Sequence, residues 1–222
     1  MREVYIVDAN RSPIAKYAGS LKSVRPDDLA AQVIKALLQR NPLLPFQEID
    51  DVIFGNANGA GEENRNVARM ALLLSGLPSE ISGSTTNRLC GSGLDAVMQG
   101  ARAILSGEAD MIIAGGVESM TRAPYVMAKP EVEFMRSNRK LFDTTIGWRF
   151  ENPRLKEMYG TETMIETAEN VAIKYGISRE EQDEFSLASQ IKASEALANN
   201  TFQDEIVPIE VKSKKSVEQK IL

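Results

Sequence analysis

An α/β fold is predicted, with a mostly parallel sheet covered by helices over residues 1 to about 120 and an inserted region after it. Three observations lead there. Short apolar, strand-like runs alternate with amphipathic helical stretches at close spacing, the pattern of a parallel sheet covered on both faces. The alternation stops at Thr121, and Pro, Met, Arg and aromatic residues follow without sustained period to Thr163, as in a long surface insertion. The 222 residues are 43% hydrophobic, enough for one large or two modest cored domains.

Taken in order, Glu3-Val4-Tyr5-Ile6-Val7 is a run of strand formers ended by Asp8-Ala9-Asn10-Arg11-Ser12-Pro13 and reads as a buried strand. Ala30, Val33, Ile34, Leu37 and Leu38 fall on one face of a helix over 27–39, with Asp27 and Asp28 at its positive end. A strand follows at Asp51-Val52-Ile53-Phe54-Gly55, then a Gly/Asn-rich loop to Asn66, then a helix from Val67 to Leu74 stopped by Gly76 and Pro78. The loop from Gly55 to Gly61 lacks the spacing and Lys-Ser/Thr ending of a phosphate loop, so it reads as a turn or dimer-contact segment. Residues 83 to 89 lead into Cys90, Leu94 to Leu105 mark another amphipathic helix ending at Ser106-Gly107, and Met111 to Ala114 form a further strand. Beyond the insertion come a helix from about Ile165 to Tyr175, a capping box Ser178-Arg179-Glu180-Glu181 opening a helix to about Asn199, and an alternating strand at Val207, Ile209 and Val211. Lys212 to Leu222 is Lys-rich, unpatterned and expected to be mobile.

Composition excludes several classes of function. The net charge of -5 offers no cationic field for nucleic acid or for an anionic membrane. No run reaches the roughly 18 apolar residues of a membrane span, and acids stand near the start where a secretory signal would be apolar, so a cytoplasmic location is expected. One cysteine rules out an internal disulfide and a zinc site of paired thiolates. Histidine is absent, so nucleophilic catalysis at neutral pH needs another base or a base from another chain.

The strongest chemical signal is Thr85-Thr86-Asn87-Arg88-Leu89-Cys90-Gly91-Ser92-Gly93-Leu94. A strand end, a turn and a helix start meet at one thiol, which places Cys90 at or near the helix N-terminus, where unpaired N–H groups and the helix dipole favour thiolate. Gly91, Ser92 and Gly93 let a ligand approach the backbone closely. The competing reading is a small buried core cysteine, since free Cys is among the most buried residue types.

Asn87-Arg88-Leu89-Cys90-Gly91-Ser92-Gly93 resembles the acyl-enzyme signature of the thiolases. Val7-Asp8-Ala9-Asn10-Arg11-Ser12-Pro13-Ile14, the loop Gly59 to Arg69 and Ile113-Ala114-Gly115-Gly116-Val117-Glu118-Ser119-Met120 resemble the same family in the same order, and the similarity continues to about Val211. Asp143 to Phe150 and Asn64-Arg65-Asn66 look more like the degradative branch that includes 3-oxoadipyl-CoA thiolases. The resemblance implies acyl transfer between coenzyme A and a cysteine thioester, with Cys90 as nucleophile, a coenzyme A thioester as substrate and no separate cofactor. It also implies a thiolase-like fold represented by its N-terminal half: residues 1–120 as the α/β domain lacking its last strand, 121–211 as an incomplete CoA-binding loop domain, and 212–222 as a tail.

Within that loop domain, Met164 matches a methionine lining the pantetheine and acyl tunnel; a core methionine at helical spacing is the alternative. Ile165 stands for the usual glycine, Thr163 for a common histidine or serine, and Thr86 where the family prefers an aliphatic residue. Complete thiolases are nearly twice as long, and their second half carries the activating His, a second Cys and an oxyanion Asn. Three readings therefore compete. They are an acyltransferase piece inactive alone and needing a C-terminal half, a non-catalytic remnant or subunit keeping the dimerising fold and weak CoA binding, and an unrelated thiol enzyme with a carboxylate base. A homodimer or tetramer is expected, because family members pair through strands near the nucleophile loop.

Overall fold

The computed structural model describes residues 2–134, 136–212 and 217–220. The chain divides into two compact units, Met1–Ala123 with Glu205–Leu222, and Pro124–Asp204. In the first, helix α1 (Pro26–Arg40) starts on a proline that has no N–H to lose, carries Asp27 and Asp28 at its positive end and Arg40 at its negative end, and buries Ala30, Ala31 and Ile34. Strand β1 (Asp51–Gly55) leads to helix α2 (Val67–Ser75), which Asn66 caps through Arg69 N–H and Gly76 closes in a left-handed conformation. Strand β2 (Ser82–Thr86), helix α3 (Ser92–Ser106, closed by left-handed Gly107) and strand β3 (Ile112–Gly116) complete the pattern.

The sheet order is β2-β1-β3, both pairings parallel, with Gly55 opposite Thr86 on one side and Gly116 on the other. β1 is the central strand, and Val52 and Phe54 join Ile34, Val67, Leu72 and Ile81 in the core. The sequence reading of a parallel sheet with covering helices holds for these elements. Below the strands, Asp50 Oδ2 accepts the N–H groups of Asp110 (2.7 Å) and Met111 (3.0 Å), fixing the entry of β3 against that of β1.

Residues 3–7 depart from expectation: they form no strand, and Tyr5, Ile6 and Val7 are 72%, 80% and 77% exposed. The run lies between two pins, Arg2 on Asp110 (2.6 Å) and Asp8 on Arg40 and Asn41 (2.9 and 2.7 Å), but among the described residues no strand pairs with it to complete a ladder. Strand-forming residues become a strand only when a partner supplies the other half of the hydrogen bonds.

In the second unit, two-residue strands β4 (Tyr125–Val126) and β5 (Phe142–Asp143) pair antiparallel, followed by helices α4 (Pro153–Tyr159), α5 (Met164–Tyr175) and α6 (Arg179–Ala198). Among the described residues of this unit only Thr144 is buried. Local devices hold the helices instead. Capping boxes Thr163/Glu166 and Ser178/Glu181 open α5 and α6, and Arg179 pairs with Asp183 one turn on.

The chain returns to the first unit earlier than the sequence suggests. Arg11 N donates to Glu205 O (2.8 Å) and Val207 N to Arg11 O (2.9 Å), and strand β6 (Ile209–Lys212) buries Ile209 completely beside Val24 and Val207. Residues 205–211 thus group with the sheet unit, because the alternating face of this segment meets α1 rather than the inserted helices. Part of the tail expected to lack pattern is strand β7 (Val217–Lys220), antiparallel to β6; residues 213–216 and 221–222 of that tail lie outside the described residues.

Asp50 tests the strand-entry clamp. The two backbone N–H groups hold its carboxyl below the usual carboxylate range. A lowered folded-state pKa means the stabilisation is present above the unfolded value near pH 4 and disappears as pH falls through the folded value. Urea unfolding of Asp50→Asn is expected to show a loss of about 1 kcal/mol at pH 7, with the gap to the parent chain closing below about pH 4.

Candidate active site

The turn from Thr86 to Ser92 joins β2 to α3. Gly91 is the N-cap of α3 and, having no side chain, brings no side-chain cap to the N–H groups of the first turn. Cys90 stands immediately before that cap and is exposed, which overturns the buried-core alternative. Leu89, just ahead of the thiol, has φ 50°, a left-handed conformation that costs a branched side chain roughly 1–2 kcal/mol. Short hydrogen bonds hold it there. Asn87 Oδ1 accepts Leu89 N–H (2.9 Å) while Asn87 Nδ2 donates to Ala57 O (2.8 Å). Ser92 Oγ accepts Arg88 N–H (2.8 Å) and donates to Leu89 O (2.6 Å). Asn87 therefore has a structural role in the turn.

Beneath the turn lies the end of β1. Ser92 and Gly93 approach Gly55 so closely that a Cβ on Gly55 would collide with their backbones, and a Cβ on Gly116 would meet Gly55 O at 2.8 Å. Gly55, read from sequence as the end of a strand and the start of a turn or dimer-contact segment, closes β1 and is the seat of the helix start. The next residue, buried Asn56, donates to Val117 O (2.8 Å), and Ala57 N–H donates to Glu118 Oε2 (2.7 Å). Glu118 counts as an exposed residue, yet crowding desolvates its carboxyl and raises its pKa, more than the N–H groups of Ala57 and Asn58 lower it.

Sequence reasoning also missed Asp95. It is 2% exposed; Oδ2 accepts from Thr86 Oγ (3.0 Å) and Gln99 Nε2 (2.8 Å), and Oδ1 lies 3.2 Å from Arg88 Nε, an ion pair without hydrogen-bond alignment. The Gln99 and Thr86 donors, in that order, hold the carboxyl below its ordinary range against desolvation, with the charges of Arg88 and Arg102 assisting. The readable signal was the Asp95/Gln99 spacing of one helical turn, beside a threonine where an aliphatic residue was expected.

Met164 belongs to the other unit. It opens α5, is 67% exposed and lines an apolar groove of about 370 Å³ with Ala168, Val171, Ala172 and Ile177. It is not a core methionine. Thr163, the departure noted beside it, is the N-cap of α5. Among the described residues no group of three or more His, Cys, Asp or Glu is placed to hold a metal ion, and no helix is long and apolar enough to cross a membrane.

Gly55→Ala places the collision directly under the Cys90 turn. A loss of about 2–3 kcal/mol is expected from overpacking against backbone that has no side chain to move. The loss should exceed that of Gly76→Ala, whose added Cβ meets nothing within 4 Å and whose cost comes only from its left-handed φ. Parallel thermal melts of the two variants read the difference.

Comparison with known proteins agrees with these features. The family described as "Thiolase, N-terminal domain" matches residues 4–221. A beta-ketoadipyl-CoA thiolase of Acinetobacter baylyi is 57% identical over 97% of this chain and 53% of its own length. A 3-oxoadipyl-CoA/3-oxo-5,6-dehydrosuberyl-CoA thiolase of Escherichia coli is 57% identical over 98% and 54%. The crystal structure of the Bacillus anthracis acetyl-CoA acetyltransferase superposes with a TM-score of 0.85 at 35% identity, over 96% of this chain and 52% of that one. The chain spans about half the length of the curated relatives it matches. On the match across nearly all its residues, with a cysteine turn seated on Gly55, the chain belongs to the thiolase family and corresponds to that family's N-terminal domain.

Proposed function

We propose that the chain serves thiolase-type acyl transfer with Cys90 as acyl acceptor, and that it turns over only with a C-terminal thiolase half. The observation carrying this reading is an exposed thiol directly before an N-cap that offers no side-chain cap, on a turn hydrogen-bonded at Asn87 and Ser92. In the degradative direction the Cys90 thiolate adds to the 3-keto carbonyl of a 3-ketoacyl-CoA, and in the condensing direction to the thioester carbonyl of acetyl-CoA; the developing oxyanion is held by N–H donors. In the first case the C2–C3 bond then breaks and acetyl-CoA leaves as a carbanion that takes up a proton, in the second the carbon–sulfur bond breaks and coenzyme A leaves; in both the acyl group remains on Cys90. Free coenzyme A or an acetyl-CoA carbanion takes it up in the second step. A base must remove the thiol proton, and histidine is absent from the chain, so the proton acceptor belongs to the other half. The names of the similar enzymes point to 3-oxoadipyl-CoA or a related 3-ketoacyl-CoA as substrate, in degradation of aromatic compounds; no cofactor beyond the coenzyme A thioester is invoked. The Met164 groove of α5 serves the pantetheine or acyl chain.

Surface features support assembly. Leu94, Val97 and Leu105 of α3 and Tyr5, Ile6 and Val7 are exposed apolar groups that a second half would cover. Among the described residues β2 pairs with β1 alone, which leaves its other edge for the same strand of a second copy in a homodimer or a dimer of dimers. A second reading, a non-catalytic subunit that keeps the fold and weak CoA binding, is favoured by the lack of histidine and of a second cysteine.

Intact-protein mass spectrometry after incubation with acetyl-CoA separates the two. A single acetyl adduct is expected, absent in Cys90→Ser and formed at least a hundredfold faster with an added C-terminal thiolase half, in line with the contribution of one general base. No adduct with or without that half would leave the non-catalytic reading.

A further inference from the structure

We propose that Asp95 is the positioning residue of the Cys90 turn, acting through Arg88. This rests on the reading of Cys90 as a nucleophile and adds to it the group that sets where the sulfur stands. One buried carboxylate joins the end of β2, the body of α3 and the turn between them. Oδ2 holds Thr86, the last residue of β2, at 3.0 Å and Gln99, one turn along α3, at 2.8 Å; Gln99 Nε2 also donates to Thr86 Oγ at 2.9 Å. Oδ1 holds the guanidinium of Arg88 at 3.2 Å, and the N–H of Arg88 donates to Ser92 Oγ. Asp95 N–H in turn donates to the carbonyl of the cap, Gly91 (2.9 Å). The two residues that bracket Leu89 and Cys90 in this network, Arg88 and Ser92, are thereby fixed to the helix body. A buried carboxylate is costly unless engaged; here Oδ2 is hydrogen-bonded to Thr86 and Gln99, and Oδ1 is left with the Arg88 guanidinium as its one charged neighbour on the turn.

The chemical consequence follows from geometry. A thiol held at a helix N-terminus ionises more easily than one that wanders from it. In Asp95→Asn the amide oxygen can still accept from Thr86 and Gln99, but the NH₂ group faces the Arg88 guanidinium, donor against donor, so the Arg88 tie alone is cut. Loss of a nearby negative charge by itself would ease ionisation of the thiol. Loss of position does the opposite. The sign of the effect therefore separates a positioning role from a purely electrostatic one, and a purely structural role moves the melting temperature only.

The test measures iodoacetamide alkylation of Cys90, the sole cysteine, in the full chain as a function of pH. Asp95→Asn is expected to move the midpoint upward by about 0.3–0.7 pH unit and to slow alkylation about two- to fourfold at pH 7.5. Gln99→Ala, which keeps the carboxylate charge and removes one donor, is expected to move it upward by less, and it carries the test if Asp95→Asn does not fold. An unmoved or lowered midpoint overturns the proposal. Alkylation needs no coenzyme A, so a failure to acylate Cys90 would sink the functional reading while leaving this result to stand or fall alone.

Discussion

The contact on which the site depends is between two backbones. β1 can end under the first turn of α3 only because Gly55 has no Cβ, and Gly116 extends the same closeness to β3. Once that seat is occupied, the register of the parallel sheet places Thr86 across from Gly55, and the chain has five residues in which to turn from strand to helix. The strain at Leu89, the double role of Ser92 Oγ and the reach of Asn87 to Ala57 are consequences of so short a path. The thiol stands at the apex of an arrangement whose base is close-packed main chain.

The two units are held by different physics. The sheet unit has a continuous apolar core around Val52, Phe54, Val67 and Leu72, and this supplies the large, non-directional share of its stability. The inserted unit buries almost nothing, so its helices depend on caps and on short-range pairs worth tenths of a kcal/mol to about one each. Local opening there requires far less free energy than opening of the sheet.

Much of this was readable in the sequence. Periodicity located α1, β1, α2, α3 and β3 to within a few residues, and the Ser178 capping box located α6, because those signals are local. The helix start just after Cys90 was likewise foreseeable from Cys90-Gly91-Ser92, whereas the exposure of the thiol was not, because a small free cysteine is as readily a core residue. The N-terminal run was misread because strand propensity says nothing about whether a partner strand is present, and Tyr5, Ile6 and Val7 have none beside them. The return of 205–211 to the first unit was missed because it rests on a long-range meeting of Ile209 with Val24. Asp95 was overlooked for a related reason: a charge on a helix face reads as solvated until Thr86 and Arg88, distant in pattern though near in sequence, are seen to close over it.

Leu89 carries one more implication. A glycine in its place would relieve the left-handed strain, yet it would also multiply the backbone states open to the turn in which Cys90 sits. A leucine confines the turn to a narrow basin once the Asn87 and Ser92 hydrogen bonds have pulled it there. The protein thus trades some thermodynamic stability for low configurational entropy beside its sulfur, which keeps the thiol to a narrow range of orientations.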